Sequence, residues 1–425
     1  MILFAGVLAQ AMPLAALPPV ASAPDPCVTI CDAKKLRPVF DKLARIERDR
    51  TVVRILQIGD SHTAGDQVTG AWRTALQSRY GNAGRGVLAP GRPYGGYLTK
   101  DVTAQMAGPW AIAGIFGPAY SSANPTPIGL SDFSLTGPPG ASMTLSADRS
   151  DFSGFTACAL AQPGAGTLLL TLGGVVRPMP LDAGQIATRC ATVASDQPAS
   201  TASLAITGGP VTVTSWATER AAPGVVLANL GTVGAQLVHF GRTDDRIVAA
   251  EAAQYRPDLL VVAFGTNEAF MPRFSALEYG ARLRGSVTRL KRLFPGTPML
   301  MLGAPDSATR LAALQTGESG VSPACTSGVV LPAPMPGFDT PPPGDWRPTA
   351  ALASVQATQR RVAHDEGVAF WDWSRAMGGR CAAIAWSRAG LMRPDHVHFT
   401  TAGGTEIARR LQADLDAAAF TVGAR

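Results

Sequence analysis

Five short runs of β-branched and aliphatic residues punctuate the chain: Thr51–Ile58, Val225–Leu230, Leu259–Phe264, Met299–Leu302 and Val368–Trp371. Mostly apolar runs of this length read as buried strands. Apolar positions recur at helical spacing over Gln67–Tyr80, where Val68, Trp72, Leu76 and Tyr80 share one stripe. The same spacing marks Asp244–Gln254, Ser275–Leu293, Leu352–Glu366 and Ala402–Ala418. Strands alternating with helices predict an α/β unit, a parallel sheet between helix layers.

From about residue 100 to residue 220 the period changes. Gly166–Leu172 and Val211–Ser215 alternate in steps of two, among Gly, Ser, Thr, Val and Pro and with very few Lys or Arg. Short alternating strands with closely spaced turn signals predict an inserted all-β sandwich, which interrupts the α/β unit after its first strand. The organisation expected is therefore residues 24–99 as the first part of the α/β domain, 100–224 as the insertion and 225–425 as the second part. A Pro-rich stretch, 323–348, reads as an irregular excursion tied down by Cys325.

Composition narrows the class. Apolar residues make up 46% and charged residues 16% of the 425, so the chain collapses rather than remaining disordered. Its 45 Gly and 34 Pro are spread without a period, which excludes a collagen-like chain and argues against a single helical bundle. The net charge is +6, with no basic run interleaved with aromatics, so a nucleic-acid partner is not expected. A weak attraction to acidic polymers is the most that this charge implies.

Residues 1–23 carry no charge and end in Ala21-Ser22-Ala23, the small-x-small pattern of a signal-peptide cleavage site. The usual basic start is missing, and Pro24 would follow the cut. Pro13, Pro18 and Pro19 interrupt the run, and no other stretch reaches the ~20 apolar residues of a membrane span. Six cysteines fall in regional pairs, Cys27 with Cys31, Cys158 with Cys190 and Cys325 with Cys381, without zinc-ligand spacing. Local disulfides in an oxidising compartment, periplasmic or secreted, are expected.

Open parallel sheets place chemistry beyond the carboxyl ends of their strands. Gly59-Asp60-Ser61-His62 follows the first strand, and Asn229-Leu-Gly231-Thr-Val-Gly234 follows the second. Gly265-Thr266-Asn267-Glu268 follows the third, and Asp395-His396-Val397-His398 precedes the last helix. Nucleophilic acyl transfer needs a hydroxyl, a base, a carboxylate to orient the base, and donors for an oxyanion. Ser61 is the expected nucleophile, His398 the base and Asp395 its orienting carboxylate. The backbone N–H groups of Ser61 and Gly234 and the amide of Asn267 are the expected oxyanion donors.

These four motifs, in this order, resemble the SGNH (GDSL-type) hydrolases, with Ser61, Gly234, Asn267 and His398 as the namesake residues. The resemblance implies a three-layer α/β/α flavodoxin-like sandwich and ester hydrolysis without metal or cofactor. Tyr80-Gly-Asn-Ala-Gly-Arg-Gly86, Phe370-Trp-Asp-Trp…Met377-Gly-Gly379 and Asp395-His-Val-His-Phe-Thr400 are similar to the bacterial peptidoglycan O-acetylesterases, which carry a carbohydrate-binding-type β-sandwich between the first two motifs. The implied substrate is an O-acetylated glycan polymer, peptidoglycan first. Val233 departs from that pattern, because those esterases carry Asn before the glycine of the second motif.

Other residues have competing readings. His396 is the rival base, and His62 is a structural or substrate-positioning neighbour. Asp60 is expected to hold the nucleophile turn, and Glu268 to make a structural hydrogen bond. Trp371, Trp373 and Trp386 offer sugar-stacking faces, although aromatics after a strand more often enter the core; Tyr94 and Tyr97 are equally open. The same site would serve an O-acyltransferase if a sugar hydroxyl replaced water, while a non-catalytic glycan-binding protein would have no need of the full set.

Overall fold

The computed structural model describes residues 29–123, 125–147, 152–310, 325 and 346–423. The expected signal peptide, the Cys27–Cys31 pairing and most of the Pro-rich stretch lie outside these residues.

Five parallel strands form the central sheet, in the spatial order Ala369–Trp371, Met299–Leu302, Leu259–Ala263, Val52–Gly59, Gly224–Gly231. Numbered along the chain this is 2-1-3-4-5, the flavodoxin-like order. Ile30–Cys31 adds a short antiparallel edge against Ala369–Trp371, a strand too short to announce itself in the pattern.

The apolar runs arise because both faces of the sheet are covered. Val53, Ile55, Val261, Leu300 and Leu302 belong to the core under helices Arg37–Ala44, Gln67–Tyr80 and Thr401–Thr421. Their neighbours Leu56, Ile58, Leu260, Val262 and Met301 belong to the core under helices Asp245–Tyr255, Ala276–Leu293 and Leu352–Asp365. Each fully buried aliphatic side chain contributes about 1.5–3 kcal/mol, and a one-residue slip exchanges the two sets, so register is strongly held.

Between the first and second parallel strands lie two antiparallel sheets. One runs Val175–Pro180, Thr167–Leu172, Thr201–Thr207, Ser142–Ala147, Val102–Ala107. The other runs Ala187–Ala199, Phe152–Ala161, Val211–Glu219, Phe133–Gly137, Ala111–Gly114. Inward residues of both, among them Leu145, Leu170, Leu204, Phe155, Val213 and Trp216, share one core. Gly86–Leu88, ahead of residue 100, also pairs with Val211–Glu219, so this sheet reaches back into the segment after the first helix. Disulfides join Cys158 to Cys190 across adjacent strands and Cys325 to Cys381.

A buried carboxylate fastens the two parts together. Glu251, in helix Asp245–Tyr255, is fully buried and accepts from Thr214 Oγ1 (2.6 Å), Ser215 Oγ (2.5 Å) and the Leu130 N–H (2.6 Å), all from the sandwich. Burial raises its pKa, and the three donors oppose that shift. Glu251→Ala leaves the Leu130 N–H without this acceptor, takes the nearest partner from Thr214 and Ser215, and opens a cavity, so denaturant unfolding should show a loss of about 3 kcal/mol.

Candidate active site

The sheet order reverses between Val52–Gly59 and Leu259–Ala263, and a crevice opens there at the carboxyl edge. Gly59 ends the first of these strands. A Cβ on it would stand 2.6 Å from the Ala263 carbonyl and 2.1 Å from Thr63 Oγ1, so only glycine lets the next turn lie this close. Asp60 then caps the short helix Ser61–Ala64, its Oδ1 accepting from the His62 N–H at 2.9 Å. Ser61 is the first residue of that helix and stands at the mouth of the crevice.

His398 arrives from 337 residues away. Its Nε2 lies 2.9 Å from Ser61 Oγ, and its Nδ1 lies 2.8 Å from Asp395 Oδ2. A carboxylate can only accept, which places the imidazole proton on Nδ1 and leaves the Nε2 lone pair for the serine hydroxyl. Asp395 Oδ1 also accepts from the backbone N–H groups of Val397 and His398, each at 2.9 Å. Partial burial opposes its charge, but the His398 ring and these two N–H groups hold its pKa well below the ordinary carboxylate range.

The second motif forms a loop tied to the first. Thr232 donates its N–H to the Gly59 carbonyl, and Ala235 donates back to Thr232. Thr232 Oγ1 also donates to Asp132 Oδ2, 3.0 Å away, on the sandwich side. Asp132 is fully buried and its pKa is pushed up to about 8 by desolvation. Gly234 has φ +78°, and a Cβ there would meet Phe116 Cε1 at 2.9 Å. Asn267 heads the third motif in helix Thr266–Ala269, and its Nδ2 donates to the Ala235 carbonyl at 2.8 Å. One amide proton thus anchors the second and third loops to each other, and the other remains for a ligand. Val233, where the resembled esterases carry Asn, is exposed at the cleft.

A cleft of about 240 Å³ opens over these groups, lined by Ser61, His398, Tyr94, Leu98, Val233 and Arg393 among others. A larger apolar hollow, about 300 Å³, lies among Leu36, Phe40, Trp72 and Leu415. That lining includes no nucleophile paired with a base, so size does not make it the reactive site.

The remaining candidates separate. His396 is buried, stacked on Trp346 at 3.7 Å, and pairs its Nδ1 with the Pro394 carbonyl, so it does not compete for Ser61. Trp371, Trp373 and Trp386 are all core residues, with Trp371 and Trp386 donating to Asp414 and to the Met377 carbonyl. They offer no face to a sugar. Glu268 accepts from the Leu237 N–H at 3.1 Å, and burial raises its pKa to about 7. His239 stacks on Phe116 and accepts the Gln236 N–H on Nδ1. Asp132 and Phe116 reach the second motif through tertiary contact alone, so no local signal could have found them.

Among the described residues, no group of three or more His, Cys, Asp or Glu is placed to hold a metal ion. No helix there is long and apolar enough to cross a membrane.

Residues 201–404 match the family model for GDSL-like lipases and acylhydrolases. Gly234, Asn267, Asp395 and His398 fall inside that stretch, and Ser61 precedes it because the sandwich intervenes. Over that stretch the chain is similar to the GDSL-like lipase/acylhydrolase family. Among solved structures, a peptidoglycan O-acetylesterase superposes with a TM-score of 0.68 and 26% identity, over 91% of this chain and 97% of that one. A GDSL-like lipase from Parabacteroides merdae aligns at TM-score 0.31 and 15% identity, covering 46% and 73%. A family two carbohydrate esterase from Cellvibrio japonicus gives 0.28 and 14%, covering 75% and 98%. No curated protein sequence matches the chain. The family-model match and the first superposition support carboxylic ester hydrolase activity.

Two outcomes test this GDSL-like site as a structure. Gly234→Ala should cost about 1–2 kcal/mol of stability from the left-handed backbone, with Phe116 displaced, as read by thermal unfolding. The depressed pKa of Asp395 means that its contribution is present above the ordinary carboxylate range and is lost as pH falls. Asp395→Asn should therefore flatten the acid limb of the stability–pH curve.

Proposed function

We propose that the chain is an exported serine esterase that removes O-acetyl groups from a glycan polymer, peptidoglycan in the first place. The observation that carries this reading is the continuous line Ser61 Oγ, His398 Nε2, His398 Nδ1, Asp395 Oδ2 at the mouth of an open cleft. The likeness of nearly the whole chain to a peptidoglycan O-acetylesterase supports the substrate. The two disulfides support an oxidising compartment.

In the mechanism, Ser61 Oγ attacks the acetyl carbonyl carbon while His398 Nε2 takes the hydroxyl proton. Asp395 stabilises the imidazolium that forms. The carbonyl oxygen becomes an oxyanion, held by the N–H groups of Ser61 and Gly234 and by the Asn267 amide. Each such donor is worth about 3–4 kcal/mol in the transition state. The C–O bond to the sugar breaks, and the sugar oxygen leaves with the proton from His398. Water, deprotonated by the same nitrogen, then attacks the acetyl–Ser61 ester and releases acetate.

Arg393 stands exposed on the cleft and makes no ion pair among the described residues. Its guanidinium suits a glycan bearing carboxylates, as peptidoglycan does through its peptide stems.

The deciding measurement is acetate release from O-acetylated peptidoglycan, from acetylated xylan and from a small aryl acetate. Ser61→Ala should abolish release from all three, and Asp395→Asn should lower kcat by about 10³-fold or more. Arg393→Gln should reduce kcat/KM on peptidoglycan more than on xylan. Ser61→Ala acting like the wild type would remove the site assignment. Acetate appearing on an added sugar acceptor instead of in solution would make the enzyme a transferase.

A further inference from the structure

Both ring nitrogens of His62 face acceptors. Nδ1 lies 3.1 Å from Asp60 Oδ1, and Nε2 lies 2.8 Å from the carbonyl oxygen of Val397. A neutral imidazole has a single N–H and satisfies only one of these; the imidazolium satisfies both. The side chains of His62 and Asp60 are each 2% exposed, so the carboxylate balances the ring's charge out of reach of water. Burial pulls the His62 pKa down, yet the Asp60 charge and the hydrogen bonds outweigh it and leave the value above that of an ordinary histidine. The other groups facing the ring are Thr266 Oγ1 at 3.4 Å from Nδ1, the edges of Trp373 and Phe399, and the stacked ring of His398 at 5.5 Å, with Asp395 the next charge.

The carbonyl that His62 holds belongs to the peptide joining Val397 to His398. The N–H of that same peptide donates to Asp395 Oδ1. In a planar trans peptide the two atoms point in opposite directions, so His62 and Asp395 grip one rigid plate from two sides. The plate ends at the Cα of His398, and turning it swings the imidazole off Ser61.

We propose that His62, hydrogen-bonded between Asp60 and Val397, is a positioning residue that fixes the Val397–His398 peptide and thereby aims His398 Nε2 at Ser61 Oγ. This rests on the reading of His398 as the base. Asp60 and His62 flank Ser61 in sequence, so the same pair ties the nucleophile turn to the loop that carries the base. When the ring loses a proton it keeps the charge-assisted bond to Asp60 and releases Val397. The stabilisation is present in full below the ordinary histidine pKa, ~6.5, and is lost as pH rises through the raised value. Turnover falls with it on the alkaline side.

Nitrogen-15 histidine NMR of the full chain, over about pH 5 to 10, tests the pair directly in the wild type and in Ser61→Ala. Both His62 nitrogens should carry protons at about pH 6.5, the ordinary histidine value, and lose one above it. A neutral single tautomer at about pH 6.5 overturns the proposal, and this readout does not depend on whether Ser61 is the nucleophile. In kinetics, His62→Phe should lower kcat up to about 100-fold with little change in KM, and should remove the alkaline limb of the rate profile. His62→Gln, which restores one donor towards Val397, should recover part of kcat. A folded His62→Phe with kcat within about twofold and the alkaline limb intact would reduce His62 to packing. If His62→Phe fails to fold, the NMR titration and His62→Gln decide between the same two outcomes.

Discussion

The hydrogen bond between Ser61 Oγ and His398 Nε2 spans 2.9 Å in space and 337 residues of chain. Such a contact has no local cause. It exists because the first parallel strand delivers Ser61 to the carboxyl edge of the sheet, and because the loop before the last helix folds back over that edge. Helices Gln67–Tyr80 and Thr401–Thr421 follow the two motifs and pack in one core, which sets their starting points side by side. Trp72 Nε1 bonded to Gln412 Oε1 joins them at 2.8 Å. The geometry of these two atoms thus rests on the packing of two helices.

Around that bond the support is polar and buried. Asp66 is fully buried and accepts from Arg73, Thr69 and the Lys100 N–H, while Arg85 bonds Asn229 Oδ1 at 2.5 Å. Asn229 in turn donates to the Thr63 carbonyl in helix Ser61–Ala64. Networks of this kind hold one arrangement because every alternative strands a charge or a donor in low dielectric. The sandwich takes part as well. Asp132 grips Thr232, Phe116 covers Gly234, and Glu251 binds three donors from the inserted strands. An insertion between the first two strands is therefore built into the loop that carries Gly234.

Much of the α/β unit was legible from the chain alone. Strands buried on both faces are mostly apolar, so Val52–Gly59, Gly224–Gly231, Leu259–Ala263, Met299–Leu302 and Ala369–Trp371 stand out as runs, and the helices between them as 3.6-residue stripes. The sandwich was legible only as a texture. Alternation shows that Thr167–Leu172 and Val211–Glu219 have an inner and an outer face, yet gives no clue that they belong to different sheets, or that Gly86–Leu88 pairs with the second. Antiparallel partners are chosen by packing across the core, which leaves little trace in any one strand.

The chemistry divides along the same line. Asp60, Ser61, Gly234, Asn267, Asp395 and His398 were recognisable as candidates because each motif is a short segment whose turn and cap need particular residues in order. The side chains that decide between similar residues were not. His396 and His398 differ by two positions, and only the fold shows one stacked under Trp346 and the other against Ser61. Likewise the three tryptophans near the last motif look alike as sugar-stacking candidates, and only packing puts all of them in the core. Sequence by itself determined the elements and the strand-ending motifs, because these depend on the polarity and backbone preference of neighbours in the chain. Tertiary structure alone decided which histidine faces the serine and which sandwich residues brace Thr232 and Gly234. Those choices depend on contacts between segments that the chain keeps hundreds of residues apart.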